Sequence, residues 1–157
     1  MPIVALTEAE LPPRGGLIGL DLGTKTIGVA VSDPDRRIAA PVETIARKRF
    51  QLDAQRILTL ARERQAVGFV LGLPLNMDGS EGPRAQSTRA FARNFAQLTA
   101  LPIALWDERL STVAVERDLI AGNASRAKRK AVIDQHAATF ILQGALDRLA
   151  HDKRNDC

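Results

Sequence analysis

The segment LIGLDLGTKTIGVAVS, residues 17–32, contains two short apolar runs rich in Ile and Val, separated by a turn. Residues 17–21 and 26–32 have the composition of strands, and the intervening residues 22–25 include a glycine, which predicts a β-hairpin. A third apolar run follows at 40–45, after another turn. The first part of the chain is therefore predicted to form an antiparallel meander of three strands.

The pattern changes after the meander from strand alternation to helical spacing. Apolar residues recur at helical intervals across 50–61, and the continuous apolar run at 67–73 is typical of a strand covered on both faces. A second helix is predicted over 88–98, and a fifth strand over 103–106. These elements add two helix-linked strands to the meander.

Two further helices complete the predicted fold. The first covers about 111–121 and is closed by Gly122-Asn123, and the last carries apolar residues at helical spacing, with Asp134 at the head of that face. Three antiparallel strands followed by two helix-linked strands predict an α/β fold, with one mixed five-stranded sheet and flanking helices.

The length of the chain bounds its domain organisation. A chain of 157 residues fits a single domain around one core. Residues 1–15 show no sustained periodicity and are predicted to be an N-terminal tail. The domain is predicted to cover 16–150, and residues 151–157 are predicted to be a C-terminal tail.

Composition excludes several classes of protein. No apolar run approaches the roughly 18 residues that span a bilayer, and acids occupy the start, where a signal peptide carries Lys or Arg. A cytoplasmic protein without a membrane partner is therefore expected. The single cysteine, Cys157, excludes an intrachain disulfide and a zinc site built from cysteines. A net charge of +4 favours an anionic partner such as nucleic acid.

Acidic side chains follow two of the predicted strands. Asp21 ends the first apolar run, and Asp107 and Glu108 come directly after the run at 103–106. Because side chains alternate along an extended segment, only one of Asp107 and Glu108 can face Asp21. Structural roles remain open as well, since Asp21 can accept hydrogen bonds in the hairpin and the acidic pair can cap a helix or pair with Arg109.

Asp134 supplies a third carboxylate, at the head of an otherwise apolar helix face. An acid on such a face is costly to bury, although the helix dipole also favours a plain acid in a first turn. Three carboxylates that this topology can bring together form an oxygen-only cluster, which is the kind that Mg²⁺ and Mn²⁺ select.

Two polar segments are candidates for phosphate contacts. The loop at 72–80 continues the fourth strand and can approach a phosphate backbone, although a surface turn also explains it. A cluster of four cations precedes Asp134 and consists of Arg126, Lys128, Arg129 and Lys130. The cluster can hold phosphates or form a solvated face. Repulsion among its members predicts a mobile basic flap over 123–130.

Four motifs occur in order along the chain. They are GLDLGTK at 19–25 with GVAVS at 28–32, the loop at 72–80, DERLST at 107–112 and DQHAA at 134–138. Together they resemble the YqgF family, also called RuvX, the pre-16S rRNA nucleases related to the Holliday junction resolvase RuvC. The resemblance covers about residues 16–150.

This resemblance implies an RNase H-like fold and a metal-dependent nuclease that matures the 5′ end of small-subunit ribosomal RNA. It implies that Asp21, Glu108 and Asp134 are catalytic and hold Mg²⁺ or Mn²⁺, as two ions. Contacts to nucleic acid are expected from Lys25, Asn76, Ser80, Arg109, Arg126, Lys128, Arg129 and Lys130. Lys25-Thr26 stands where many relatives have two basic residues, which weakens one phosphate contact.

Other functions compete with this interpretation. A resolvase acting on branched DNA would use the same acids, and a non-catalytic RNA-binding assembly factor would be expected to lose one of them. A sugar-kinase-like or actin-like ATPase shares a similar phosphate loop but needs two such subdomains, and 157 residues supply one. The expected partner is precursor rRNA or the ribosome, with the chain acting as a monomer or a weak homodimer.

Overall fold

The computed structural model describes residues 3–4, 11–110 and 126–155, with side chains described for 11–110 and 136–152. Its strands are β1 Ile3–Val4, β2 Leu17–Leu22, β3 Thr26–Ser32, β4 Ala39–Ala46, β5 Gly68–Leu73 and β6 Ile103–Asp107. Its helices are α1 Phe50–Glu63, α2 Pro83–Ala96 and α3 Arg126–Asn155, and a short 3₁₀ helix covers Glu108–Leu110.

The strands in the described ranges form one mixed sheet of six, in the order β1-β6-β5-β2-β3-β4. Strand β2 is central, since it pairs in parallel with β5 and antiparallel with β3. Strands β6 and β1 extend the parallel side, and β4 extends the antiparallel side. The carboxyl ends of β2, β5 and β6 therefore lie at one edge of the sheet, which is where sites of α/β sheets collect.

Alternation along the strands divides the core between the two faces of the sheet. The α1–α2 face packs large aliphatic and aromatic side chains against those two helices, among them Leu20, Phe69 and Phe95. The α3 face packs a separate cluster against the last helix, to which Ala138 and Ile141 contribute. Among the described helices, α3 covers one face of the sheet, and α1 and α2 share the other.

Glycines on the α3 face allow the last helix to lie close to the sheet. A Cβ atom on Gly19 would lie 2.7 Å from the Cβ atom of Leu142, and one on Gly28 would lie 3.5 Å from the Cβ atom of Ala138. Carbon atoms in contact are usually about 3.5–4.0 Å apart, so a side chain at position 19 would displace the helix. Gly28 pairs with Asp21 across the hairpin, so α3 approaches the carboxyl end of β2 with its earlier residues.

The predicted α/β class and its mixed sheet are confirmed, with one added strand. The region expected to be an N-terminal tail contributes β1, because Ile3 and Val4 pair in parallel with Ile103 and Ala104 of β6. A strand of two residues is too short to show an alternating pattern, so no periodic signal marks it in the sequence. The sheet therefore has six strands rather than the expected five.

The ends of two helices differ from those expected. Helix α2 begins at Pro83 rather than Thr88, since proline is favoured in the first turn and the polar residues that follow it conceal the apolar period. Helix α3 begins at Arg126, before Asp134, and ends at Asn155, beyond the expected domain boundary at residue 150. Lys and Arg are good helix formers, which is consistent with a helical basic cluster.

Other expectations fall on parts of the chain that the structure does not describe. The helix expected over 111–121, with Gly122-Asn123, lies outside the described residues, and so do residues 123–125 of the expected flap. The rest of that segment, 126–130, forms the start of α3, and its role as a mobile flap stays a prediction. None of the helices in the described ranges combines the length and the apolar character needed to span a bilayer.

Candidate active site

Asp21 lies on the α3 face, at the carboxyl end of β2. It pairs with Gly28 of β3, and a Cβ atom on Gly28 would lie 3.7 Å from the Cβ atom of Asp21 and 3.5 Å from that of Ala138. The three positions are therefore neighbours on the same side of the sheet. The Asp21 side chain is half-buried between the hairpin and the last helix.

Glu108 reaches the same face from the 3₁₀ helix that follows β6. A Cβ atom on Gly72 would lie 2.8 Å from Glu108 Oε1 and 2.6 Å from Ile141 Cδ1. Both separations are shorter than contact distance, so the carboxylate of Glu108 occupies the space that a side chain at position 72 would fill. The absence of that side chain places Glu108 over β5, directly under α3.

The strand register brings Asp21 and Glu108 next to each other. Leu20 of β2 pairs with Leu71 of β5, so the residues that follow them, Asp21 and Gly72, are neighbours across the two parallel strands. The Glu108 carboxylate lies over Gly72. Two carboxylates thus lie on adjacent strands, on one face and at one edge of the sheet, where a cation would relieve their mutual repulsion.

Asp107 has a different environment from Glu108. Its Oδ2 atom accepts a hydrogen bond of 2.7 Å from Arg109 Nη2, and its Oδ1 atom accepts bonds from the Arg109 backbone N–H at 2.9 Å and from Nε at 3.1 Å. These donors hold the pKa of Asp107 below its ordinary value, principally through the side-chain hydrogen bonds of Arg109. Asp107 is therefore committed to an ion pair, which was the structural role left open by the sequence.

Arg109 also connects this ion pair to the loop that follows β5. Its Nη1 atom donates a 3.1 Å hydrogen bond to the Met77 carbonyl, and its guanidinium lies against Gly79. Gly79 has φ +89°, a conformation that suits glycine. Arg109, expected to contact nucleic acid, thus connects β6 with the loop, and a phosphate contact by this residue remains a prediction.

The loop at 72–80 is held by its own polar side chains. Asn76 Nδ2 donates to Ser80 Oγ at 3.0 Å, and Ser80 Oγ donates to Asp78 Oδ1 at 2.6 Å. The bonds from Ser80 lower the pKa of Asp78. Asn76 and Ser80, both predicted to contact nucleic acid, therefore help to fix the loop in the free protein. Whether they also contact phosphates stays a prediction.

The remaining predicted site residues are described only in part. Lys25 is exposed in the β2–β3 turn, and its carbonyl accepts a 2.9 Å hydrogen bond from the Arg47 backbone N–H. Asp134 is one helical turn before Ala138 in α3, and the basic cluster of Arg126, Lys128, Arg129 and Lys130 is at the start of that helix. The side chains of Asp134 and the cluster lie outside the described set.

The described residues include only part of the predicted set of metal ligands. No group of three or more His, Cys, Asp or Glu side chains suited to a metal ion occurs among the described residues. Asp21 and Glu108 supply two carboxylates on one face, and a third ligand would have to come from a side chain outside that set. The roles of all three acids as metal ligands remain predictions.

Gly72 is the site residue that sequence reasoning missed. The sequence placed it near the end of a predicted strand, where the loop at 72–80 begins, and the structure places it in β5 under the Glu108 carboxylate. Its signal was a glycine near the end of a buried strand, which indicates close approach of another group. Identifying that group requires the strand register, which the sequence does not contain.

A mixed sheet that carries two neighbouring acids on its α3 face indicates an RNase H-like class of protein. The structure of T. thermophilus RuvC in complex with Holliday junction substrate is similar, with a TM-score of 0.54 and 11% sequence identity. The match covers 87% of this chain and 96% of that chain. At this identity the similarity concerns the fold alone, and it confirms the RNase H-like class predicted from the sequence.

Sequence comparisons identify the family. The family model described as RuvX: Holliday junction resolvase matches residues 15–148. A "Putative pre-16S rRNA nuclease" of Rhodopseudomonas palustris (strain HaA2) is 72% identical over 156 residues, 98% of each chain. A protein of the same name from Bradyrhizobium diazoefficiens is 76% identical over 151 residues, 95% of this chain and 94% of its own. The chain therefore belongs to the RuvX family and is a nuclease, a hydrolase of phosphodiester bonds.

Proposed function

We propose that this nuclease acts in the cytoplasm on precursor 16S rRNA and that Asp21, Glu108 and Asp134 hold its divalent metal ions. The rRNA substrate is supported by the name shared by relatives that are 72% and 76% identical. The observation that carries the proposal is the Glu108 carboxylate over Gly72, in the strand position beside Asp21. Asp21 and Glu108 therefore lie next to each other on one face of the sheet.

The residues present fit a divalent metal ion. Carboxylate oxygens are the donors that Mg²⁺ and Mn²⁺ favour, and the space above Gly72 admits the Glu108 carboxylate without displacing α3. Position 134 is one turn before Ala138, whose Cβ atom lies over Gly28, the partner of Asp21 in β3, so α3 is the element suited to supply the third carboxylate. When bound, two such ions supply an activated water and stabilise the leaving oxygen.

Other residues of the chain orient the substrate in this proposal. The Asp107–Arg109 pair fixes the loop at 72–80 beside the two acids, because Arg109 also bonds the Met77 carbonyl. In that position Asn76 and Ser80 are close to the edge of the sheet that a phosphate backbone would follow. The basic cluster at 126–130 and Lys25 are proposed to bind phosphates on either side, which would steer an anionic substrate toward the carboxylates.

The test is cleavage of precursor 16S rRNA by purified protein in Mg²⁺, Mn²⁺ or EDTA. We expect cleavage by wild type with either metal, none with EDTA and none by Asp21→Asn. Asp35→Asn is a matched control, since Asp35 is an exposed turn residue that pairs with Arg14. Equal cleavage by wild type and Asp21→Asn would contradict the catalytic assignment.

A junction resolvase is the second candidate, because the family model that matches residues 15–148 carries that description. A four-way DNA junction in the same assay separates the two substrates. Cleavage of the junction without cleavage of precursor rRNA would replace the proposed substrate and leave the metal site in place.

A further inference from the structure

A pocket of about 520 Å³ opens on the α1–α2 face, at the carboxyl end of β2. We call it the basic pocket, because Arg47, Lys48 and Arg84 line it. Its apolar wall includes Leu22 and Phe91, which also belong to the core of that face. The pocket lies outside the site formed by Asp21 and Glu108, which are on the opposite face.

The charge of the basic pocket suits an anion. The ten described residues that line it include three cations and no carboxylate. Lys48 and Arg84 are exposed, so both side chains can move toward a ligand at small cost. The apolar wall limits the access of water on one side, which strengthens each ionic contact relative to open solvent.

Backbone groups at the start of α2 add to this preference. Pro83 and Arg84 form the first turn of α2, and within the described residues the N-cap Gly82 makes no side-chain cap and the first turn contains no acid. Helix N-termini carry partial positive charge and free N–H groups, which bind phosphate. The hydroxyl of Ser87, one turn further along, also lines the pocket. The cationic side chains and the N-terminus of α2 thus line the same pocket.

The basic pocket is attached to the same hairpin as the catalytic face. Leu22 lines the pocket and directly follows Asp21, and successive residues of a strand point to opposite faces. Arg47 Nη1 donates a 2.7 Å hydrogen bond to the Gly23 carbonyl, which fixes the guanidinium against the β2–β3 turn. A nucleic-acid strand that passes around this turn can therefore contact both faces of the sheet.

We propose that the basic pocket binds a backbone phosphate of the nucleic-acid substrate, a few nucleotides from the bond that is cleaved. The identity of the ligand as nucleic acid rests on the proposed function, whereas the preference for a phosphate rests on the pocket itself. Lys48 and Arg84 supply charge, Arg47 and the first turn of α2 supply directed donors, and the hairpin turn connects this contact to Asp21.

The test is binding of a precursor rRNA fragment across a salt series, with Ca²⁺ in place of Mg²⁺ to prevent cleavage. Each lost phosphate contact lowers the slope of log affinity against log salt by about 0.7–0.9. The double variant Lys48→Gln/Arg84→Gln should therefore lower the slope by about 1.4–1.8. The matched control is Arg64→Gln/Arg93→Gln, which removes the same charge toward the far ends of α1 and α2, about 14 Å or more along the helix axes. This control should leave the slope unchanged.

A charge reversal separates loss of binding from loss of folding. Arg84→Glu places an acid in the first turn of α2, where the helix dipole favours it, so thermal stability should be equal or higher. Binding should nevertheless weaken more than in Arg84→Gln. A variant that is equally stable and binds RNA as wild type does would overturn the proposal.

The outcomes separate this proposal from the proposed function. Unchanged slopes in the pocket variants, with cleavage of rRNA intact, would overturn the phosphate site and leave the function in place. Lowered slopes with no cleavage by wild type in Mg²⁺ would support the phosphate site and contradict the function. Running the four-way DNA junction in the same salt series extends the test to the second candidate substrate, and unchanged slopes on both nucleic acids overturn the site for either.

Discussion

The two faces of the sheet differ in what they place at the carboxyl end of β2. The α3 face has glycines at 19, 28 and 72, and it carries the carboxylates of Asp21 and Glu108. The α1–α2 face has large buried side chains such as Phe69 and Phe95, and it ends in the basic pocket. The two acids and the cations of the basic pocket thus lie on opposite faces of the sheet, at the end of the same strand.

This difference shows how one strand can serve two kinds of chemistry. Asp21 and Leu22 are consecutive, and alternation sends one toward the paired acids and the other toward the cationic pocket. If the cations shared a face with the acids, ion pairs would compete with metal. At this edge Asp107 is bound by three donor atoms of Arg109.

The largest expected effect concerns the α1–α2 face, which we interpret as the principal source of stability. Phe95 is fully buried, with its ring 4.9 Å from that of Phe69 and 5.8 Å from that of Phe91. Phe95→Ala should lower the free energy of unfolding by about 3–5 kcal/mol, measured by urea denaturation. Cleavage per folded molecule should remain close to wild type. A proportional loss of cleavage would show that the two faces are not separable.

A matched control for this substitution is Phe50→Ala. Phe50 also contacts Phe91, at 5.3 Å between ring centroids, but it is only partly buried. A cost clearly below that of Phe95→Ala is expected, because less apolar area returns to water. Equal costs would contradict the assignment of Phe95 to the centre of this core.

The next effect concerns the α3 face, where a single methyl group should disturb catalysis. Gly72→Ala places a Cβ atom 2.8 Å from Glu108 Oε1, so the carboxylate must move. A displacement of this kind can cost about 100-fold in rate, and overpacking can cost about 1–3 kcal/mol of stability. Single-turnover cleavage and urea denaturation measure the two separately.

Gly68→Ala, in the same strand, is the control for overpacking alone. Its Cβ atom would lie 3.1 Å from Leu17 Cδ2 and 3.3 Å from the Pro102 carbonyl, with apolar and backbone neighbours rather than a carboxylate. We expect some loss of stability and an unchanged rate of cleavage. If both alanine variants slow cleavage equally, the position of Glu108 over Gly72 is not what determines the rate.

The smallest effect concerns the Asp107–Arg109 pair. The folded-state pKa of Asp107 is lowered by Arg109, so the pair stabilises the protein above the unfolded-state pKa of about 3.9, and this contribution is lost as pH falls through the lower folded-state value. The stability difference between wild type and Asp107→Asn should therefore be present at neutral pH and vanish in acid. A difference that does not change with pH in thermal unfolding would contradict the ion-pair role.

Sequence alone predicted the parts of the fold that have a period. The hairpin strand Thr26–Ser32 has the predicted bounds, and the strands around it differ by one residue at their ends. It did not predict β1, which is too short to alternate, or the start of α2 at Pro83, where polar residues conceal the period. The predicted ends of strands and helices are therefore accurate where the local sequence is periodic and inaccurate where it is not.

Residue types and the alternation of side chains along strands were the only signals from which the candidate site could be predicted. Alternation required Asp107 and Glu108 to differ, and the structure gives Asp107 an arginine partner and puts Glu108 over Gly72. The register of β5 against β2 and β6 decides which acid approaches Asp21, and that register is a long-range property. The cations of the basic pocket were missed because Arg84 is distant in sequence from the adjacent Arg47 and Lys48, and the three share no motif.

The most direct measurement of the central claim compares cleavage of precursor 16S rRNA by Glu108→Gln and Asp107→Asn in Mg²⁺. Each variant removes one charge from neighbouring positions. Glu108→Gln should lower the rate of cleavage by more than about 100-fold. Mutating a residue that only hydrogen-bonds to a metal ligand costs about 10–100-fold, and removing a proposed ligand itself should cost more. Asp107→Asn should lose a much smaller factor, because it only loosens the loop that Arg109 holds at the Met77 carbonyl. Full activity of Glu108→Gln, with activity lost in Asp107→Asn, would contradict the account.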